Sequence, residues 1–332
     1  MQNRQLLYVN RPKGVLGEDS FASVTGEVVR PGTGEVLCRT ILLSIDPANR
    51  AWMQARTYRE QLAEGTVMAG HGIAEVIASE SEVPVGAIVA GPVGWQEYAV
   101  LAADEVEQID VRSELTHYLG VLGITGLTAY FGLLDVGRPT RGDTVLVSGA
   151  AGATGNVVGQ LATIHGCRPV GIVGSAEKAD FLTGTLGFAA AVNYRSPEFG
   201  DELRQACPDG VDVFFDNVGG PTLERALRLM NPHGRIANCG AVSQYDTDTP
   251  GAGPSGVPGL VITKRLRMQG FIVHDFQDRW DDALRELEGW IASGDLTVVE
   301  DVLDDLDSAP AALIGLLEGQ NTGKRMVRVS AD

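Results

Sequence analysis

A strand, a turn of small residues and a helix follow one another between Asp143 and Gly166, and this stretch constrains the fold more than any other. Thr144 to Val147 is apolar and rich in valine, which is typical of a buried parallel strand. The turn after it, 149–155, contains only glycine, alanine and threonine, and apolar side chains then recur at helical spacing until Gly166. Such a unit offers the free N–H groups of a helix N-terminus to a pyrophosphate, because only small side chains allow a close approach.

The turn differs at one position from the G-x-G-x-x-G pattern of dinucleotide-binding proteins. Ala150 replaces the first glycine, whereas Gly152 and Gly155 keep their places. A tight turn between a strand and a helix, without any ligand, could have the same sequence. The context favours a nucleotide site, because the turn follows a strong strand and begins a long series of alternating strands and helices.

Composition limits the remaining classes of protein. A chain of 332 residues predicts two domains. The net charge of −17 argues against nucleic acid or an anionic membrane surface as a partner. No apolar run approaches the roughly 20 residues that span a bilayer, and the N-terminus lacks a signal-peptide core. The four cysteines are far apart, without metal-ligand spacing, so we expect free thiols in a reducing, cytoplasmic compartment.

The pattern of strands and helices changes once along the chain. Short strand-like runs separated by Gly and Pro fill the first 125 residues and predict a compact β domain. Within it, Gln54 to Glu64 is polar and predicts a flap. The final run from Gly323 to Val329 alternates like a strand, and we expect it to rejoin the β domain. We therefore predict a β domain formed by 1–125 and 296–332, and a cofactor-binding domain formed by 126–295.

Strands and helices alternate from Asp143 onward, which predicts an α/β fold with a six-stranded, doubly wound parallel sheet. The predicted strands are Thr144–Ser148, Pro169–Gly174, Ala190–Tyr194, Val211–Asp216, Arg235–Gly240 and Leu266–Val273. The predicted helices are Ala153–His165, Ala176–Leu186, Pro197–Ala206, Pro221–Met230 and Asp278–Ser293. The last crossover is predicted to be mostly loop, because 248–258 is rich in Gly and Pro.

The second strand of this sheet ends in residues that favour NADP over NAD. An NAD site usually has Asp or Glu at this strand end, where the carboxylate binds the ribose 2′-hydroxyl. Here the position holds Gly174 and Ser175, and Lys178 follows in the first turn of the next helix. A solvated surface lysine is the alternative interpretation. The missing acid and the available cation together favour a 2′-phosphate.

The sequence predicts no metal site, and this prediction directs the chemistry. A catalytic zinc needs about three protein ligands, and His71 has no cluster of Cys or His around it in the sequence. Without a Lewis acid, reduction of an activated C=C bond is easier than interconversion of an alcohol and a ketone. Hydride then adds to the β-carbon, the charge moves to a carbonyl oxygen, and the α-carbon needs a proton.

Three tyrosines are candidates for contact with the reacting groups. Tyr245 lies in the loop after the fifth strand, near the expected nicotinamide, and Tyr58 lies in the predicted flap. These two are the candidate catalytic residues, as proton donors. Tyr194 ends the third strand, and we expect it to pack on the cofactor. For each tyrosine the alternative is a wall residue with its hydroxyl in solvent.

Motifs along nearly the whole chain resemble those of one known family. They are Leu43-Ser44-Ile45-Asp46-Pro47 with Arg50, Gly94-Trp95-Gln96-Glu97-Tyr98, Gly126-Leu127-Thr128-Ala129-Tyr130-Phe131-Gly132, Ala150-Ala151-Gly152-Ala153-Thr154-Gly155, Glu177-Lys178, Phe215-Asp216-Asn217-Val218-Gly219-Gly220, Cys239-Gly240-Ala241 and Asn321-Thr322-Gly323-Lys324. With this set the chain resembles a zinc-free member of the medium-chain dehydrogenase/reductase superfamily. Within it, the chain resembles the prostaglandin/leukotriene reductase group, which includes plant double-bond reductases and bacterial NADPH-dependent curcumin reductases.

The resemblance implies a GroES-like β domain, a Rossmann domain, NADPH as cofactor and reduction of α,β-unsaturated ketones or aldehydes. It also implies a homodimer through the Rossmann domain. Gly152, Ala153, Thr154 and Gly155 would hold the pyrophosphate, and Lys178 the 2′-phosphate. The remaining cofactor contacts that it implies are Tyr194, Asn217, Cys239, Gly240, Ala241, Val242, Ser243, Tyr245, Phe271, Ile272, Val273 and Asn321.

One departure from the family concerns the proton donor. Several animal and plant relatives carry a Tyr before the last Rossmann strand, where this chain has Thr263. A threonine cannot replace a phenol in reach or acidity. The donor therefore stays open between Tyr245 and Tyr58. Two other functions also stay open, namely an NADPH quinone oxidoreductase and a catalytically silent NADPH-binding protein.

Overall fold

The structure is a computed structural model that describes residues 1–57, 59–247, 249, 251 and 253–329. The chain divides into two compact units. We call the first the β unit, which comprises Met1–Leu119, Tyr245–Thr249 and Glu300–Asp332. We call the second the α/β unit, which comprises Gly120–Gln244 and Pro250–Val299.

The N-terminal part of the β unit consists mostly of short strands. The strands are β1 (Gln2–Tyr8), β2 (Phe21–Glu27), β3 (Glu35–Ser44), β4 (Thr66–Val67), β5 (Gly72–Ser79), β6 (Ile88–Gly91), β7 (Tyr98–Ala102) and β8 (Glu107–Gln108). One helix, α1 (Pro47–Gln54), follows β3. It begins there because Pro47 suits a first helical turn and the Asn49 side chain accepts the backbone N–H of Asp46 at 2.8 Å.

The α/β unit alternates helices and strands. They are α2 (Ile124–Phe131), β9 (Thr144–Ser148), α3 (Ala153–Ile164), β10 (Arg168–Val173), α4 (Ala176–Gly184), β11 (Ala190–Asn193), α5 (Phe199–Ala206), β12 (Val211–Asp216), α6 (Gly220–Leu229), β13 (Met230–Asn238), α7 (Val257–Lys264), β14 (Arg267–Gly270) and α8 (Trp280–Ser293). Among the described residues, six parallel strands form one sheet in the order β11-β10-β9-β12-β13-β14. This order confirms the predicted doubly wound α/β fold.

Helix α7 is an element that the sequence did not predict. The Gly- and Pro-rich segment before β14 was expected to be loop, yet a helix begins at Val257. Pro258 lies in its first turn, where proline costs the helix nothing. None of its residues is fully buried, but Val257, Leu260 and Val261 lie at helical spacing and pack, partly buried, against the core of the α/β unit. The helix has only eight residues and directly follows the Gly- and Pro-rich run, so this short pattern did not stand out in the sequence.

The C-terminal segment returns to the β unit. It consists of β15 (Glu300–Asp304), α9 (Ala309–Leu317) and β16 (Lys324–Arg328). β16 pairs with β15 in parallel and with β3 in antiparallel register. A sheet in the order β15-β16-β3-β5-β6-β8 results, with β7 also pairing to β3, and β2-β1-β4 form a second sheet. In the described part of the chain, no helix combines the length and apolarity needed to cross a membrane.

An ion pair joins β16 to the beginning of α1. Lys324 is buried, and its Nζ lies 2.8 Å from Asp46 Oδ1 and 3.1 Å from the carbonyl oxygen of Ile45. The Ser44 hydroxyl donates to the other carboxylate oxygen. Burial raises the pKa of Asp46, but attraction to Lys324 and hydrogen bonds from Lys324 and Ser44 outweigh it, so the pKa is below its usual value. The carboxylate therefore stabilises the folded state above its unfolded pKa of about 4, and this contribution is lost as the pH falls through the lowered folded pKa.

Replacing Lys324 by methionine should lower the free energy of unfolding at pH 7 by about 1–3 kcal/mol, because the Asp46 carboxylate loses its cation. The side chain of Asp46 is 38% exposed, and water reduces the loss below that of a fully buried pair. The difference from wild type should shrink at pH 3, because the Asp46 carboxyl group that has lost its cation then takes up a proton and is no longer an uncompensated charge. Urea unfolding at the two pH values measures it. Arg56→Met is the control, since both side chains of the Arg56–Glu60 pair are exposed and the loss of stability should be small. An equal deficit for Lys324→Met at both pH values would contradict the argument.

Candidate active site

The glycine turn between β9 and α3 is closed by backbone contacts that exclude larger residues. The N–H of Gly152 donates to the carbonyl oxygen of Gly149 at 2.9 Å, and Gly149 has a φ of +60°. A Cβ atom on Gly155 would lie 2.3 Å from that same carbonyl oxygen and 2.8 Å from Cα of Ala150. Glycine is therefore required at 155, since the first turn of α3 rests directly on the loop.

Ala150, which departs from the usual pattern, is accommodated by a glycine on the neighbouring strand. Its methyl group faces Gly171 of β10, where a Cβ atom would lie 3.0 Å from the Ala150 methyl and 2.6 Å from Leu182 Cδ1. Ala150 is fully buried. The extra methyl group thus takes space that Gly171 leaves open, and the turn keeps its shape.

The N-terminus of α3 fits an anionic group. Gly152 is the N-cap and has no side chain, so no cap accepts the first N–H groups of the helix. Buried Asn156 turns its amide back on the loop and donates to the carbonyl oxygens of Gly152 at 2.7 Å and Ala153 at 2.9 Å. Gln160 in turn donates to Asn156 and exchanges two hydrogen bonds with the backbone of Thr297. These buried amides fix the turn, and the helix dipole favours a phosphate at its end.

A second group of predicted residues lies at the ends of β10 and β11. Ser175 caps α4, and its hydroxyl accepts the N–H of Lys178 at 3.3 Å. The ring of Tyr194 lies against Gly174, where a Cβ atom would be 3.2 Å from Tyr194 Cε1. Arg195 stacks its guanidinium 5.6 Å from the centre of the Tyr194 ring. Ser175, Lys178 and Tyr194 therefore come from two adjacent strand ends, and Arg195 adds a cation that the sequence analysis did not consider.

Asp216 connects the ends of β9 and β12. Its Oδ1 accepts hydrogen bonds from the Ser148 hydroxyl at 2.9 Å and from the N–H groups of Val218 and Gly219 at 3.0 Å each. Asn217 donates its amide to the carbonyl oxygen of Ser148 at 2.7 Å. Burial raises the pKa of Asp216 although these three hydrogen bonds lower it. The network fixes Asn217 at the carboxyl edge of the sheet.

The loop after β13 folds onto the loop after β12. The N–H groups of Cys239 and Gly240 donate to the carbonyl oxygen of Asp216, at 2.8 and 3.1 Å. Val242 N–H donates to the Asn217 carbonyl, and the hydroxyl and N–H of Ser243 both donate to the Val218 carbonyl. The structure thus brings Asn217 together with the predicted run from Cys239 to Ser243. Burial, and then repulsion by Asp216, raise the pKa of Cys239 to about 12, which makes its thiol a poor nucleophile at neutral pH.

Phe271, Ile272 and Val273 follow directly after β14, at the same edge of the sheet. The Phe271 ring contacts the Phe215 ring edge to face, with 6.2 Å between the ring centres. Gly132 lies under both rings, since a Cβ atom there would be 2.4 Å from Phe271 Cζ and 2.6 Å from Phe215 Cε2. Ile272 is 45% exposed, whereas Val273 is buried. The backbone of 271–273 and the apolar side chain of Ile272 are therefore the groups that a ligand could contact here.

Two predicted residues belong to the β unit, and one lies outside the described residues. Tyr245 begins the segment that belongs to the β unit. Asn321 is buried and donates its amide to the carbonyl oxygen of Gly323 at 2.8 Å, in the turn before β16. Tyr58 falls outside the described part of the chain. Contacts of these three with a cofactor or substrate stay predictions.

Thr263, which stands where several relatives have tyrosine, uses its hydroxyl within α7. The hydroxyl donates to the carbonyl oxygen of Gly259 at 2.8 Å, one turn earlier in the helix. Its proton is therefore engaged by the backbone. Among the described residues, no group of three or more His, Cys, Asp or Glu side chains could hold a metal ion.

Sequence reasoning missed the side chains that fix these loops. Asn156 and Gln160 are four residues apart on one helix, and a polar pair on an otherwise apolar helix face was the available signal. Ser148 and Asp216 both end predicted strands, but only the strand order shows that they are neighbours. Taken together, the bare N-terminus of α3, the glycine cradle and the cations at the β10 and β11 ends fit a phosphorylated dinucleotide.

Comparison with known proteins agrees with this geometry. Residues 4–109 match the family model described as "N-terminal domain of oxidoreductase", and residues 153–289 match the one described as "Zinc-binding dehydrogenase". The chain is 38% identical to the NADPH-dependent curcumin reductase of Escherichia coli, covering 100% of this chain and 98% of that protein. It is 38% identical to the NADP(+)-dependent 2-alkenal reductase of Nicotiana tabacum, covering 100% and 99%.

A solved structure shows the same fold from end to end. CurA of Vibrio vulnificus in complex with NADPH superposes with a TM-score of 0.95 at 37% identity, covering 99% of this chain and 100% of that chain. The matches run through both units, and they agree with the motifs found in the sequence. The chain belongs to the medium-chain dehydrogenase/reductase superfamily, in its zinc-free group of prostaglandin, alkenal and curcumin reductases.

Proposed function

We propose that this protein is an NADPH-dependent, zinc-independent reductase of the C=C bond of α,β-unsaturated ketones and aldehydes. The bare N-terminus of α3, held by Asn156 and packed on Gly149, is the observation that carries the proposal, because it fits a pyrophosphate. The full-length relatives add the substrate class, since curcumin and 2-alkenals both have a C=C bond conjugated to a carbonyl group.

The chain's own residues would hold the cofactor along the carboxyl edge of the sheet. The N–H groups of Gly152, Ala153, Thr154 and Gly155 would bind the pyrophosphate. Ser175, Lys178 and Tyr194 would bind the 2′-phosphate and its ribose. The remaining contacts would come from Asn217, Cys239, Gly240, Ala241, Val242, Ser243, Tyr245, Phe271, Ile272, Val273 and Asn321. When bound, NADPH supplies the hydride that reduces the β-carbon of the substrate.

The protein must then supply a proton. Addition of hydride at the β-carbon moves the electron pair of the C=C bond toward the carbonyl oxygen, and the α-carbon takes up one proton to give the saturated product. We propose Tyr245 as the donor, with its phenol as the acid. The Thr263 hydroxyl is engaged with Gly259, which supports a donor outside α7. Tyr58 is the second candidate.

The same proposal covers assembly and location. β14 is the last strand in the sheet order of the α/β unit and exposes Met268, while neighbouring α7 exposes 73% of Ile262. These features support a homodimer through the cofactor-binding domain, and sedimentation at twice the 35.1 kDa chain mass is the expected result. We also propose a cytoplasmic location. The proposed domains are a β domain formed by 1–125 and 296–332, and a cofactor-binding domain formed by 126–295.

Absorbance at the nicotinamide band tests the reaction. The purified chain with NADPH, and in parallel with NADH, is offered simple enones, enals, quinones and saturated aldehydes. We expect oxidation of NADPH with enones and enals only. Turnover with quinones and little with enones would instead indicate a quinone oxidoreductase. Tight binding of NADPH without oxidation by any acceptor would indicate a catalytically silent binder.

Replacing Lys178 by alanine should raise the Kd for NADPH by about 10- to 100-fold and leave the Kd for NADH within about twofold, because only NADPH has a 2′-phosphate. Quenching of protein fluorescence measures both constants. Arg285→Ala is the control, since it removes one positive charge from an exposed side chain of helix α8 in the same unit. An equal loss of affinity for both nucleotides would contradict the assignment of Lys178.

Replacing Tyr245 by phenylalanine should lower kcat with an enone by about 100-fold, because a positioned general acid contributes on that scale. Initial rates at saturating NADPH measure it. Tyr98→Phe is the control, since it removes a phenol hydroxyl from strand β7 of the same unit and should leave kcat unchanged. Wild-type turnover by the Tyr245→Phe variant would eliminate Tyr245 as the donor and leave Tyr58 as the candidate.

A further inference from the structure

The segment that follows the 3-10 turn at 242–244 belongs to the β unit, although α/β residues flank it in the sequence. The segment is Tyr245–Thr249, and we call its described beginning, 245–247, the anchored segment. Asp246 and Thr247, which directly follow the proposed proton donor Tyr245, form hydrogen bonds with other parts of the β unit. The bonds come from α1 and from the loop before the 3-10 turn at Glu18–Ser20.

Arg50 is the centre of this attachment. Its side chain is completely buried, with Nε 2.8 Å from Asp246 Oδ1 and one terminal nitrogen 2.7 Å from the carbonyl oxygen of Gly14. The other terminal nitrogen, Nη1, has no hydrogen-bond partner among the described residues. In the described part of the chain, the carboxylate that pairs with this guanidinium is that of Asp246, 196 residues further along. A buried charge makes the position of its counter-ion energetically important.

Asp246 and its neighbour Thr247 are held by further bonds. Oδ1 of Asp246 also accepts the N–H of Leu16 at 2.8 Å. The Gln54 side chain, at the end of α1, donates to the carbonyl oxygen of Thr247 at 2.9 Å. Two parts of the β unit, helix α1 and the loop that contains Leu16, therefore meet the anchored segment at one carboxylate and one carbonyl group. The segment that leaves Tyr245 is thus attached through the side chain of Asp246 and the backbone carbonyl group of Thr247.

A fixed backbone at this point has a direct consequence for a proton donor. A general acid works when its hydroxyl is held within about 0.5 Å of the productive position, and a loop residue loses that accuracy if its neighbours move. A buried ion pair adds little net stability compared with an apolar pair of similar size. Because the Arg50–Asp246 pair adds little net stability, its role can instead be to fix the geometry of the anchored segment.

We propose that the Arg50–Asp246 ion pair positions Tyr245 for proton transfer. Arg50 and Asp246 are then positioning residues, which act through Tyr245 and do not themselves contact the substrate. Gln54 supports the same segment more weakly, because it contributes one neutral hydrogen bond. The inference rests on the proposed role of Tyr245 in the reduction of enones.

A double-variant cycle tests this coupling. Asp246→Asn keeps the size of the side chain and an oxygen acceptor for Leu16 and Arg50, but removes the negative charge. It should lower kcat with an enone by about 10- to 100-fold in the wild-type background. In the Tyr245→Phe background the same change should alter kcat by less than about twofold, because the donor that it positions is already gone. The Kd for NADPH should stay within about twofold in all four proteins.

Two further variants separate positioning from loss of the fold. Gln54→Met removes the bond to Thr247 without leaving a buried charge unpaired, and we expect a smaller loss of kcat that is also absent in the Tyr245→Phe background. Glu75→Gln is the matched control, since it breaks a 2.8 Å pair with Arg39 between β3 and β5 of the same unit and should not change kcat. Thermal unfolding of every variant shows whether it is folded at the assay temperature.

The outcomes distinguish this inference from the proposed function. If Asp246→Asn lowers kcat by the same factor in the wild-type and the Tyr245→Phe backgrounds, the pair does not position Tyr245 and has a structural role. Unchanged kcat in both Asp246→Asn and Gln54→Met would also overturn it, and so would full activity of Tyr245→Phe, in each case with enone reduction by the wild type intact. Absence of enone turnover by the wild type would instead remove the proposed function, and the inference with it.

Discussion

The contact between the first turn of α3 and the carbonyl oxygen of Gly149 is the constraint on which the edge of the α/β unit depends. A single Cβ atom on Gly155 would come within 2.3 Å of that oxygen. The helix rests on the loop without a side chain at Gly155 between them, and its N-cap, Gly152, makes no side-chain hydrogen bond to the first N–H groups. Asn156, Gln160 and the backbone of Thr297 then hold the loop from behind. The small-residue turn is therefore supported by buried side chains of α3 and by the backbone of Thr297.

Hydrogen bonds connect the neighbouring strand ends of β9, β12 and β13. Asp216 joins β9 and β12 through Ser148, and its own carbonyl group receives the loop after β13. A buried carboxyl group that serves as an acceptor for three donors orders several loops at once, and burial raises its pKa. The residues proposed to line the nicotinamide half of the cofactor thus depend on the Asp216 side chain, which lies in one of the family motifs but whose contact with Ser148 no local pattern shows.

The sequence predicted what depends on local patterns and missed what depends on long-range contact. The valine-rich strand at Thr144, the glycine turn and the alternation of strands and helices gave the fold class, because each is visible within a short window. Helix α7 was missed because its apolar pattern, Val257, Leu260 and Val261, is only one turn long and directly follows a Gly- and Pro-rich run. The pairing of Arg50 with Asp246 spans 196 residues, so neither residue carries a local sign of the other. Lys178 could be proposed because the missing acid at Gly174 lies only four positions away.

The position of Thr263 and the attachment of Tyr245 bear on the same chemical need. A helix hydroxyl that donates to a carbonyl group one turn back cannot readily give its proton to a substrate, and a threonine is a far weaker acid than a phenol in any case. A proton donor in a loop is also ineffective if the loop moves, because its hydroxyl group then leaves the position needed for proton transfer. In this chain the helix position carries an engaged hydroxyl, while the loop that carries Tyr245 is tied to the β unit by Arg50, Gln54 and Leu16. The acid is therefore better sought in the loop, since there the structure provides both a phenol and the bonds that keep its backbone still.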